Sequence, residues 1–93
     1  LKIYIAGKIT DNPNFKQEFE QAEIKLLEQG YSVLNPSRLP RGLGYENYMH
    51  ICFAMIDVAD AVCVLRNWKY SEGAKREYAY AVKNKKPVWE GLF

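Results

Sequence analysis

Along this chain the spacing of apolar residues alternates between a strand period and a helix period. Lys2–Ala6 (K-I-Y-I-A) is a short apolar, partly β-branched run and predicts a first strand. From Phe15 to Gln29 the period becomes helical. Phe19, Ala22, Leu26 and Leu27 fall on one stripe, Ile24 lies to its side, and Glu20, Glu23, Glu28, Lys16 and Lys25 supply a solvated face. Asn12 or Asn14 is the expected cap, Pro13 suits a first turn, and Gly30 ends the helix. Tyr31–Leu34 predicts a second strand, stopped by Asn35-Pro36. Tyr45–Val58 is a second helix with Tyr48, Ile51, Cys52, Met55 and Ile56 as its apolar stripe. Ala61–Leu65 is a continuous apolar run of the kind that strands buried on both faces use. A turn at Arg66–Tyr70 follows, and Ser71 is a good N-cap for a third helix. Ala74, Tyr78, Ala81 and Val82 make the expected buried stripe there. Pro87-Val88-Trp89 predicts a fourth strand at an edge, since proline cannot donate to a ladder. Gly91-Leu92-Phe93 is a short apolar tail, expected to dock on a partner subunit.

Strict β-α-β-α-β-α-β alternation predicts an α/β fold: one three-layer, doubly wound, flavodoxin-like domain over residues 1–93, with a mostly parallel sheet in the order 2-1-3-4. The order reverses between strands one and three, and ligands of open α/β sheets bind at that reversal. Two segments should meet there. One is Gly7-Lys8-Ile9-Thr10, a glycine, a cation and a hydroxyl directly after a strand, a pattern able to face an anion through backbone N–H groups and Lys8. Its spacing is neither a Walker loop nor a dinucleotide fingerprint. The other is Ser71–Glu77. The helical neighbours of Glu77 are Gly73, Ala74 and Ala81, which places a carboxylate over an open notch. Near a helix N-terminus that carboxylate is expected to stay ionised. A solvated surface role is the ordinary fate of a helical glutamate, and only the strand–turn–helix setting argues otherwise. The loop Ser37–Gly44 is either a connection or a lid. His50 reads as a surface histidine, and Asp60 as a structural residue at the start of strand three.

Composition narrows the function. A chain of 93 residues with 48% hydrophobic and 14% aromatic content folds rather than staying disordered. Its net charge of +2 is too small to argue for a nucleic-acid polymer or a membrane surface. No apolar run is long enough to span a bilayer, and Leu1–Ile5 is too short for a signal sequence. Cys52 and Cys63 have neither zinc nor redox-motif spacing, so reduced thiols in a cytoplasmic protein are expected, with no metal and no cofactor. So short a chain buries a modest core, which favours self-association as a homodimer or higher homo-oligomer.

Three stretches, I-Y-I-A-G-K-I-T at 3–10, D-V-A-D-A-V-C-V-L at 57–65 and W-K-Y-S-E-G-A-K-R-E-Y-A-Y-A at 68–81, together resemble the nucleoside 2-deoxyribosyltransferase superfamily, in particular its small phage and bacterial members. The resemblance covers nearly the whole chain. It implies that Glu77 attacks C1′ of a deoxyribose and releases the base, with Tyr4 orienting the carboxylate. It implies that Gly7, Lys8, Ile9, Thr10 and Ser71, with Gly73, hold substrate or a 5′-phosphate. Trp68 or Tyr70 would stack on the base. The implied partner is a small nucleoside or nucleotide, in a site commonly completed by a neighbouring subunit. Two positions depart from the family pattern. Its helix-two aspartate falls on Cys52, a poor substitute for a carboxyl acid, and Ala79 stands where a glycine is usual. The alternatives are therefore a transferase or N-glycoside hydrolase, a nucleotide-binding or sensing module without chemistry, and a structural homodimeric accessory protein.

Overall fold

The computed structural model describes residues 1–91, so Leu92 and Phe93 of the predicted apolar tail lie outside the described residues. The elements run β1 (Lys2–Ala6), α1 (Phe15–Glu28), β2 (Ser32–Leu34), α2 (Tyr45–Val58), β3 (Ala61–Val64), α3 (Glu72–Lys83) and β4 (Val88–Trp89). Single 3₁₀ turns at Pro36–Arg38 and Trp68–Tyr70 interrupt two of the loops. All three strand pairs are parallel and the sheet order is β2-β1-β3-β4, as the alternation predicts.

The two faces of the sheet are covered unequally. Ile3 and Ile5 of β1 point to one side and pack with Phe19, Ala22 and Leu26 of α1 and with Ala61, Cys63 and Leu65. Tyr4 and Ala6 point to the other side and pack with Cys52 and Ile56 of α2, Ala81 of α3, Val62 and Val64. The alternation of side chains along a strand fixes this division. Helix α1 ends on a left-handed glycine, Gly30 (φ 90°). The Gly30 N–H donates to the Leu27 carbonyl and the Tyr31 N–H to that of Leu26, a Schellman closure. At the other end of the fold, the Lys86 ammonium donates to the Asp57 and Ala59 carbonyls (3.0 and 2.9 Å) and so closes α2.

Several expectations need correction. Leu27 and Val82, assigned to buried stripes, are half exposed (50% and 54%). On α3 the inward place belongs to Glu77, which displaces the stripe by one residue. On α2 Met49 is buried, whereas Tyr48, Ile51 and Met55 are only partly so. Pro13 precedes the helix it was expected to open. Asn14 is the N-cap but makes no side-chain cap bond. Helix α1 stops one residue early, at Glu28, and β2, β3 and β4 are each one residue shorter than the runs suggested. The loop after β2 begins as a 3₁₀ turn because buried Asn35 accepts from the Ser37 N–H and donates to Glu23.

Candidate active site

The Ser71 hydroxyl accepts from the Ala74 N–H at 3.0 Å and caps α3 as its sequence suggests. Along the helix that it opens, Ala74, Glu77 and Ala81 face inward. Glu77 is therefore 4% exposed, far from the solvated role usual for its type. Its Oε2 accepts a 2.7 Å hydrogen bond from the hydroxyl of Tyr4, which is wholly buried on β1. The Cys52 thiol lies beside both groups, and Tyr48, one turn earlier on α2, stands next to it. Among the described residues, the Tyr48 hydroxyl is the buried side-chain polar group with no hydrogen-bond partner.

Burial dominates the electrostatics of this cluster. It raises Glu77 to about 7, against the opposing pull of the Tyr4 and Cys52 hydrogen bonds and the Arg76 charge. The expectation that Glu77 stays ionised is thus corrected: near neutrality it is about half protonated. The helix N-terminus does not offset the loss of water. Burial and the neighbouring Glu77 push the Cys52 thiol up to about 12. Tyr4 and Tyr48 are both raised above the ordinary phenol value, chiefly by burial. At neutral pH the centre therefore holds one ionisable carboxyl among neutral donors.

A cavity of about 570 Å³ opens over this cluster. Glu77, Tyr48 and Met49 lie in its wall, and Gly7, Lys8, Ile9 and Thr10 line it from the β1 side. Tyr70, Ser71, Glu72 and Gly73 line it from the α3 side. The two segments that the strand order should bring together thus share one cavity. The first-turn N–H groups of Glu72 and Gly73 have no intrahelical partner and lie at its edge. Asp11 and Glu72 bring negative charge to the same rim, although Glu72 pairs with Lys75 at 2.9 Å.

Two details of the β1 turn differ from its sequence reading. The Lys8 N–H does not face an anion, because it donates to Asn67 Oδ1 at 3.1 Å. Asn12 donates to the Lys8 carbonyl and to Glu18, and Asn67 also donates to Glu18, so the turn is pinned to α1 and to the turn after β3. Gly7 is required by close approach rather than by a positive φ. A Cβ there would stand 2.8 Å from Leu65 Cδ1 and 3.2 Å from its Cβ. The stacking candidates separate. Tyr70 is 78% exposed and lines the cavity. Trp68 does not line it: its ring stacks on Tyr78 (centroids 4.3 Å apart) and its indole N–H donates to Glu90. Sequence reasoning missed Tyr48 and Met49 as cavity residues. The i, i+4 spacing of Tyr48 and Cys52 was the available signal for the first.

Residues 1–90 match the model of a family described as a domain of unknown function, DUF4406. The chain belongs to that family. No curated protein matches this DUF4406 chain in sequence. Among solved structures it is similar to a 2-deoxyribosyltransferase from Bacillus psychrosaccharolyticus, with a TM-score of 0.76 and 21% identity over 97% of this chain and 71% of that one. It is also similar to a 2-deoxyribosyltransferase from Leishmania mexicana, with a TM-score of 0.76 and 22% identity over 96% of this chain and 62% of that one. At these identities the likeness establishes the fold: the DUF4406 domain has a nucleoside 2-deoxyribosyltransferase-like architecture. The 62% figure means that the domain spans less than two thirds of the second relative.

Proposed function

We propose that this DUF4406 domain is a nucleoside or nucleotide 2-deoxyribosyltransferase, or a deoxynucleotide N-glycoside hydrolase, with Glu77 as nucleophile. The observation that carries the reading is the Glu77 carboxyl, bonded from behind by buried Tyr4, in the wall of a cavity also lined by Lys8, Thr10, Ser71 and the start of α3. Tyr4 engages Oε2, and the Glu77 carboxyl lines the cavity from which C1′ would approach. In the first step a Glu77 oxygen bonds to C1′, the C1′–N bond breaks, and its electron pair leaves with the base. In the second step water or an incoming base displaces the ester and restores Glu77. Lys8, the Thr10 and Ser71 hydroxyls and the two free amides at the start of α3 are of the right chemistry to hold a 5′-phosphate. Tyr70 is the remaining candidate for stacking on the base. The same reading has a homodimer completing the site, since Leu43, Tyr45 and Tyr70 expose apolar surface around the cavity.

A second reading, a nucleotide-binding module without turnover, is favoured by one observation. The residue beside Glu77 on α2 is a thiol held at about 12, too weak an acid to hand a proton to a departing base. Trapping with a slow 2-fluoro deoxynucleotide analogue separates the two. A glycosyl ester on Glu77 should appear by mass spectrometry, faster as pH rises through about 7, where the nucleophilic form accumulates. Glu77→Gln should bind the analogue and give no adduct. Binding without any adduct on the wild-type protein leaves the module reading standing. Sedimentation of the same samples as monomers at micromolar concentration removes the homodimer.

A further inference from the structure

The Tyr48 hydroxyl is buried without a hydrogen-bond partner. Such a group costs stability unless something completes it, and a protein that keeps one beside a cavity invites a ligand. The surroundings say where that ligand atom would lie. Tyr48 lines the same cavity as Glu77. It is one helical turn before Cys52, so the two side chains leave α2 on the same face. The Cys52 thiol lies close enough to act on Tyr48 electrostatically, but a thiol is a weak partner, and no contact of the Tyr48 hydroxyl has the distance and angle of a hydrogen bond. Glu77 is already taken at Oε2 by Tyr4.

We propose that Tyr48 is a substrate-contacting residue, whose hydroxyl donates a hydrogen bond to an acceptor atom next to C1′ of the bound deoxynucleotide. This rests on the reading of the cavity as a deoxynucleotide site. Tyr48 then supplies, from one turn away, a polar contact that the neutral thiol at 52 does not. The contact is a hydrogen bond and not a proton transfer, because the buried phenol holds its proton far above neutral pH. The protein therefore orients the departing group without acting as its acid. Glycosides whose leaving group departs readily as an anion are the substrates that such a site serves best.

Tyr48→Phe removes one oxygen and keeps the ring. Two measurements on the full chain test the contact: thermal unfolding without ligand, and calorimetric titration with dAMP, dGMP, dCMP and dTMP. The expected result is a melting temperature equal to or above wild type, because no internal bond is lost. Affinity for the nucleotide that wild type binds best should fall about tenfold, the scale of one lost hydrogen bond. Equal affinity in the two proteins overturns the contact and leaves the deoxynucleotide reading intact. A melting temperature several degrees lower with unchanged affinity makes Tyr48 structural and also overturns it. Failure of wild type to bind any of the four overturns the deoxynucleotide reading, and the contact with it.

Discussion

Strand β1 feeds two different interiors from adjacent residues. Ile3 and Ile5 enter an interior made with α1, where they pack among Phe19, Ala22, Leu26, Ala61, Leu65 and the thiol of Cys63. Tyr4 and Ala6 enter the one made with α2 and α3, which contains a phenol, a carboxyl and a thiol in contact. All four residues are equally buried, at 0% exposure. The period-2 geometry of one strand thus separates a face devoted to packing from a face that accepts a desolvated acid. The first face holds the sheet together by area and shape. The second carries an ionisable group whose burial opposes folding whenever it is charged. Burial alone does not tell core from site in this fold; the direction of each strand residue does.

The largest effect expected from breaking this division comes on the apolar face. Ile5→Ala should cost about 2–5 kcal/mol, the range for removing a large aliphatic side chain from a closed core. A domain of this size has a total stability of about 5–10 kcal/mol, so the variant should sit near its unfolding threshold. The loss should be the same at pH 5 and pH 9, since the neighbours that Ile5 packs against are apolar side chains and the Cys63 thiol, which is held at about 11. Urea denaturation at the two pH values measures it. A loss that depends strongly on pH would mean that the two faces are not independent.

On the polar face the same kind of measurement should give the opposite sign. Glu77 has a folded value of about 7 against an ordinary 4.5. Between those values the folded state holds a proton that the unfolded chain has released. Stability therefore falls as pH rises from about 4.5 to 7 and levels off above, with a total loss of up to about 3 kcal/mol. Glu77→Gln removes this slope and still offers an oxygen to Tyr4. It should match wild type near pH 4.5 and be more stable at pH 9 by up to that amount. A wild-type stability that rises over the interval would refute the buried-acid account.

How far this division could be read from the sequence depends on which forces decide each part. The sheet order and the meeting of Gly7–Thr10 with Ser71–Glu77 follow from strand–helix alternation, which is a matter of chain connectivity. Ser71 was legible as a cap because its bond to the Ala74 N–H is local. The ionisation of Glu77 was not legible, because it depends on how completely α2 covers α3. Helical spacing alone even favoured Val82 over Glu77 as the buried residue. Trp68 looked like a stacking platform until its partner Tyr78 was in view, ten residues away in sequence. The reason for Gly7 lay 58 residues off, in Leu65, and no local rule points there. The pinning of the Lys8 N–H by Asn67 is likewise a contact between two βα turns, set by the register of β1 against β3.

The smallest expected effect gives the sharpest form of the comparison, because the chain places one cysteine on each face. Cys63 sits among apolar groups, and burial alone raises its thiol to about 11. Cys52 sits against Tyr4, Tyr48 and Glu77. Both are fully buried, so Cys52→Ala and Cys63→Ala should each cost a similar amount, about 1 kcal/mol of lost packing. The difference should lie in titration. The Cys52 thiol hydrogen-bonds the carboxylate form of Glu77 and so holds its value down. Without that thiol the charged form loses a donor, and the Glu77 midpoint should move upward. In Cys63→Ala the midpoint should stay where it is, because the groups that act on Glu77 are Tyr4, Cys52 and Arg76 and not Cys63. The carboxyl resonance of Glu77, followed by NMR across pH 5–9 in the three proteins, reads the midpoint directly. An upward shift confined to Cys52→Ala supports two chemically separate interiors on one sheet. Equal shifts in both variants would mean that Glu77 responds to general loosening of the core, and the division between the faces would fail.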